Sequence, residues 1–117
     1  MNKDHACQRD KTVIVKEKGK ITQLKMGKIT HITCEGYLSS IHIIGKQEPI
    51  KVSKSLKVFE SELLEFGYLR ANNNTLVNMK NIVSYQKGNK HNITLSSNKQ
   101  IKISRRKLYL FKAIFEK

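Results

Sequence analysis

The chain has 117 residues and a mass of 13.5 kDa, enough for a single core and too little for a large multi-layer enzyme. It carries 23 Lys and Arg against 9 Asp and Glu, a net charge of +14. That excess argues against an acidic partner-binding tail, a collagen-like chain or a metal-rich mini-protein. No apolar run approaches the ~18 residues that cross a bilayer, and no apolar h-region follows Met1.

Residues 1–11 (MNKDHACQRDK) have no period and almost no apolar content. They read as a flexible N-terminal segment, and residues 12–117 as the folded domain. TVIV is β-branched and is followed by the Gly-containing turn KEKGK. ITQLK is a second strand, Met26-Gly27 a turn, and KITHITC a third strand. LSSIHII, the break GKQEP and IKVS follow. Strands this short and closely spaced imply antiparallel hairpins, because a parallel crossover needs a dozen or more residues. In residues 55–66 the period changes. Leu56, Phe59 and Leu63, with Val58 and Leu64 beside them, fit an amphipathic helix of about three turns. Ser55 or Ser53 is its N-cap, and Gly67 supplies a left-handed residue after it. Then come YLR, the polar cluster ANNNT and the run LVNMKNIVSYQ, in which Val83 and Tyr85 share a strand face. Gly88-Asn89 signals a tight turn. HNITL, the turn SSNK and QIKIS follow, and Leu108, Phe111 and Phe115 mark a short C-terminal helix. The fold class is mainly β: elongated antiparallel β-sheets with one amphipathic helix and a short C-terminal helix. The expected core is Leu56, Phe59, Leu63, Leu76, Val77, Ile82, Val83, Ile93, Leu95, Ile101 and Ile103.

Catalysis finds no support. Cys34 has no nucleophile context and reads as a buried structural thiol. Without a signal peptide, Cys7 and Cys34 are expected to stay reduced. Both aspartates, Asp4 and Asp10, lie in the lead-in, and the glutamates suit surface pairs with lysine. His5, His31, His42 and His91 have no zinc-like spacing with the cysteines, so neither a metal nor a cofactor is implied. The six glycines stand singly, so no loop cradles a phosphate.

The basic residues carry more information. Nineteen of the 23 are lysines, mobile point charges suited to backbone phosphates or to simple solvation. Only Arg9, Arg70, Arg105 and Arg106 are arginines, and the last three stand at strand ends beside polar loops. Arginine reads guanine bidentately and asparagine reads adenine. Plainer readings stay open. The Asn triplet suits a turn with left-handed backbone. The Arg pair suits a strand cap or an ion pair with the helix glutamates. Charge alone does not separate DNA from RNA or anionic lipid.

The motifs, taken in order, resemble the LytTR-type DNA-binding domain of bacterial transcription regulators, over about residues 13–115. Ile29-Thr30-His31-Ile32-Thr33-Cys34-Glu35-Gly36-Tyr37 is similar to the family's "I-x-Y-I-E-A-x-G-N-Y" strand. Ser55-Leu56-Lys57-Val58-Phe59-Glu60-Ser61-Glu62-Leu63 is similar to its "S-L-K-x-L-E-x-x-L" helix. FGYLRANNNTLVNMKNI, from Phe66 to Ile82, corresponds to "F-x-R-x-H-R-S-x-L-V-N-x-x-x-I", and Ile103-Ser104-Arg105-Arg106 to "V-S-R-R". Asn72-Asn73-Asn74 replaces the family's His-Arg-Ser, which changes the base preference.

The resemblance implies sequence-specific binding of double-stranded DNA by loops that enter the major groove. It implies base contacts from Asn73, Arg106, Ser39 and Ser40. Arg70, Thr75, Lys80, Lys102, Arg105 and Lys107 are the expected phosphate contacts. Asn78 reads instead as structural. Paired direct-repeat sites, a receiver or sensor domain as partner, a monomer off DNA and a cytoplasmic location are also expected, with no membrane in this fragment. The alternatives are a single-strand or RNA-binding β module, which the 7% aromatic content and absent Trp supply poorly, and a protein-interaction module.

Overall fold

The computed structural model describes residues 11–88 and 91–116. Ten strands and two α-helices follow in order. They are β1 (Thr12–Glu17), β2 (Lys20–Lys25), β3 (Ile29–Glu35), β4 (Leu38–Ile43), β5 (Ile50–Val52), α1 (Leu56–Leu63), β6 (Tyr68–Asn72), β7 (Thr75–Asn78), β8 (Ile82–Gln86), β9 (Asn92–Leu95), β10 (Gln100–Lys102) and α2 (Leu108–Phe115). Every strand pairing is antiparallel, as the short connections require. β1 and β2 form a separate hairpin. A five-stranded sheet runs β5-β4-β3-β7-β6, and a three-stranded sheet runs β10-β9-β8.

The five-stranded sheet is the middle layer, with a core on each face. One core joins it to the β1–β2 hairpin and α1 through Val13, Val15, Ile32, Ile41, Phe59, Leu63, Tyr68 and Leu76. The other joins it to the three-stranded sheet and α2 through Ala71, Val77, Ile93, Leu95, Ile101 and Phe111. Leu76 and Val77 are neighbours in sequence and enter opposite cores, because side chains alternate along a strand. Covered on both sides, β7 is buried at every position.

Local chemistry fixes the connections. Lys18 (φ 49) and Gly19 (φ 80) make the two-residue turn between β1 and β2. Ser55 caps α1, its hydroxyl accepting the Val58 N–H at 3.2 Å. A 3-10 turn, Leu64–Phe66, extends the helix, and Gly67 (φ 86) ends it in the expected left-handed conformation.

The structure alters three expectations. LVNMKNIVSYQ is two strands in two sheets, divided by the 3-10 turn Met79–Asn81. Val83 is 64% exposed and outside the core. It is the extra residue where the β8–β9 register slips between Ile82 and Ser84, and a bulge turns its side chain outward. The Asn triplet does not use left-handed backbone: among described non-glycine residues only Lys18 and Asn98 have positive φ. Residues 1–10, with Asp4, His5, Cys7, Arg9 and Asp10, lie outside the described residues, as do Asn89, Lys90 and Lys117. Lys11 already belongs to the fold, its carbonyl accepting the Met26 N–H at 2.9 Å.

Candidate nucleic-acid interface

The β6–β7 hairpin presents Asn73 and Asn74 as its two turn residues, with Asn72 paired to Thr75. Asn72 builds the turn from within. Its Oδ1 accepts the Asn74 N–H at 2.9 Å, an Asx-type bond. Its Nδ2 donates to the Lys102 carbonyl at 2.7 Å, which ties the turn to the end of β10. The Ser104 N–H donates to the Ala71 carbonyl at 2.9 Å, one step further along the same junction. The 3-10 turn Arg105–Lys107 begins there, so the Arg pair emerges beside the Asn triplet.

Two further turns reach this end of the molecule. The β3–β4 turn lies next to the Asn turn, because the Cys34 N–H donates to the Asn74 carbonyl at 2.9 Å. Its Tyr37 is 96% exposed. The β8–β9 connection is held by Ile103 N–H to the His91 carbonyl at 3.1 Å. Asn72, Asn73, Asn74, Gly88, His91, Lys102, Ser104 and Arg105 line an open groove of about 820 Å³. Among the described residues no carboxylate lines it. A second groove is lined by Glu17, Glu35 and Glu48 together with Lys18 and Lys51. The first groove is thus lined by cationic and amide side chains, and the second by charges of both signs.

The expected contact residues divide. Asn73 is exposed at the turn tip, and Arg105 and Arg106 are exposed on their 3-10 turn. Arg105 lines the groove with the asparagines, and Arg106 is not among its lining residues. Lys102 is exposed and Lys107 half-buried at the same junction.

Ser39 and Ser40 do not lie in the β3–β4 turn. The turn is made by Gly36 and Tyr37, and both serines lie within β4, only 1% and 2% exposed. Ser39 Oγ donates to the Lys54 carbonyl at 2.5 Å, and Ser40 lies on the other face of β4, lining the second groove. Thr75 is buried in β7. Lys80 is exposed but lies in the turn at the opposite end of β7 from Asn73. Arg70 directs its donors inward: Nη1 to Glu60 Oε1 at 2.5 Å, Nη2 to the Asn73 carbonyl at 3.0 Å and Nε to the Asn72 carbonyl at 3.2 Å. Sequence reasoning missed His91 at this groove, and of the β3–β4 loop it singled out the serines rather than Tyr37. Both sit beside glycine-marked turns, and only the pairing of distant strands brings those turns together.

Elsewhere, His31 and His42 are cross-strand partners with rings stacked 4.1 Å apart, on the face of the middle sheet that looks toward the three-stranded sheet. Burial, then the neighbouring ring and Lys99, pushes His31 down to about 3, and His42 is lowered by burial and Lys99. Among the described residues no group of three His, Cys, Asp or Glu side chains is placed to hold a metal ion. No helix among them is long and apolar enough to cross a membrane.

The family model of the LytTr DNA-binding domain matches residues 19–116, which takes in every turn of the groove. The chain belongs to the LytTR DNA-binding domain family. Its fold is similar to a Bacillus cereus chain described as the LytTr DNA-binding domain of a methyl-accepting/DNA response regulator. That likeness has a TM-score of 0.74 and 13% identity, and covers 88% of this chain and 94% of the other. No curated protein matches the sequence significantly. LytTR domains are DNA-binding units of transcription regulators, and DNA binding is accordingly the function class of this chain.

Proposed function

We propose that this LytTR domain binds duplex DNA sequence-specifically, with turns rather than a helix entering the major groove. The observation that carries the reading is the acid-free groove between the Asn turn and the Arg pair, which assembles an amide and a guanidinium at one end of a cationic molecule. Asn73 and Arg105 share that groove and are assigned to base edges, which moves the base-reading arginine from Arg106 to its neighbour. Arg106, Lys102 and Lys107 flank them and are assigned to phosphates, where they fix register without reading sequence. The exposed Tyr37 ring offers a contact to sugar or a thymine methyl on the flank. The domain acts as a monomer that occupies paired direct-repeat sites two at a time, in the cytoplasm, under a receiver or sensor partner.

The test is selection of sites from randomised duplexes, followed by titration of variants on the selected site and on scrambled DNA. Asn73→Ala and Arg105→Ala are each expected to cost about 1–3 kcal/mol on the selected site and to relax one base position. Lys107→Ala is expected to weaken all duplexes alike and to lower the log K against log salt slope by about one. Equal losses on every duplex for all three variants would remove the division between reading and positioning. Preference for single strands over duplex would remove the reading itself.

A further inference from the structure

Arg70 is the strand arginine that is not among the residues lining the open groove. It stands on β6 beside Tyr68, on the face that meets α1. Its three nitrogens are distributed over two structural partners. One bonds Glu60 on α1, and two bond the carbonyls of Asn72 and Asn73 in the hairpin turn. Its side chain is 19% exposed. α1 is itself fixed, because Leu56, Phe59 and Leu63 are buried in the core beneath it. The turn carbonyls are therefore held by a planar fork anchored through Glu60 to a rigid helix. Asn72 extends the restraint to Lys102 and hence to the strand that ends at the Arg pair.

We infer that Arg70 and Glu60 act as positioning residues that hold the Asn73 turn at a set distance from the Arg105–Lys107 turn, and so govern base specificity without touching DNA. The inference rests on the reading that this turn faces bases. Two physical arguments support it. A turn of two asparagines with no left-handed residue has little to restrict it beyond its bonds, and fixing it in advance removes an ordering cost from binding. An arginine beside a phosphate site is also drawn outward by the DNA. Glu60 supplies the opposing charge that keeps it on the turn. Lysine lacks the planar fork and cannot bond Glu60 and both carbonyls together.

The experiment compares Glu60→Gln, Arg70→Lys and Arg70→Met with the unaltered chain, on the selected duplex and on scrambled duplex, across a salt series. Each variant is expected to lose about tenfold in the ratio of specific to scrambled affinity, while scrambled binding and the salt slope stay unchanged. Arg70→Lys is expected not to rescue, and the Asn74 amide to exchange faster in the free Arg70→Met protein. If Arg70 were a phosphate ligand, signs would reverse. Glu60→Gln would tighten every duplex, Arg70→Lys would rescue, and Arg70→Met would lower the salt slope by about one. That pattern, or an unchanged specificity ratio, overturns the positioning role. An unaltered chain with no preference among duplexes overturns the base-reading role as well, and is visible before any variant is made.

Discussion

Asn78 lies at the end of a strand with a core on both sides, and its amide serves the backbone of two other segments. Nδ2 donates to the Met26 carbonyl at 3.3 Å and to the Ile29 carbonyl at 2.8 Å, and Oδ1 accepts the Lys80 N–H at 3.1 Å. The buried Tyr68 hydroxyl donates to the same Met26 carbonyl at 2.8 Å, and burial raises its phenol well above the ordinary range. Asn78→Ala removes all of these bonds at a buried position, leaving the Met26 carbonyl to Tyr68 and the Ile29 carbonyl to Asn81 Nδ2 at 3.2 Å. A loss of about 2–4 kcal/mol is expected, read from the urea midpoint, with the slope unchanged. A loss below about 0.5 kcal/mol would mean that the site relaxes around the gap. The structural role of Asn78 was legible because apolar Leu76 and Val77 precede it directly. The strand position of Ser39 and Ser40 was not legible, for the opposite reason. A small hydroxyl suits a loop and an inward strand position equally, and only register decides between them.

α1 was legible as an element because period, cap and stop agree. Its apolar residues recur at helical spacing, Ser55 bonds the Val58 N–H, and Gly67 follows with positive φ. Ser55→Ala is expected to cost about 1 kcal/mol, measurable by thermal unfolding, with Ser55→Asp close to the unaltered chain. Because Glu60 stands on this helix, fraying at its start would also loosen the Asn turn through Arg70. The hairpins were legible for similar reasons, since alternation and turn residues are local. The division between β7 and β8 was not. Met79–Asn81 contains neither Gly nor Pro, and its 3-10 turn is held by the Asn78 side chain and by packing. The Val83 bulge was hidden as well, because a β-branched residue on a strand gives no sign of the slip opposite it. Site residues were legible by type, as Asn and Arg in polar loops. Their assembly depends on pairings such as Cys34 with Asn74 and Ser104 with Ala71, across 40 and 33 positions of sequence, which no local pattern encodes.

At the scale of the molecule, the layers meet where the stacked histidine pair faces the three-stranded sheet. Lys99, from the β9–β10 turn, lies close enough to lower both rings, and Glu35 alone among the charged neighbours opposes it at His42. Thr30 Oγ1 bonds His31 Nδ1 at 2.8 Å, and Thr33 Oγ1 bonds His42 Nε2 at 3.1 Å. These hydroxyls serve neutral rings as donor or acceptor and cannot offset two positive charges 4.1 Å apart beside a lysine. The fold therefore disfavours the charged form of both rings and lowers each from the ordinary histidine value of about 6.5. The sign follows from proton counting. Well above a pH of about 6.5 neither folded nor unfolded chain binds these protons, and stability is independent of them. Below it the unfolded chain takes up protons that the folded chain refuses, so stability falls as pH falls, toward the native His31 value of about 3. The interval between pH 6 and pH 5 lies just below the ordinary histidine value, where the unfolded chain takes up these protons. The expected loss there is below about 1.4 kcal/mol per pH unit for each ring, seen as a falling urea midpoint. His31→Gln removes one titrating ring and relieves the other of its neighbour, so its midpoint should fall less steeply over the same interval. A midpoint as steep in His31→Gln as in the unaltered chain would assign the acid sensitivity to repulsion within the +14 chain as a whole rather than to the joint between its sheets.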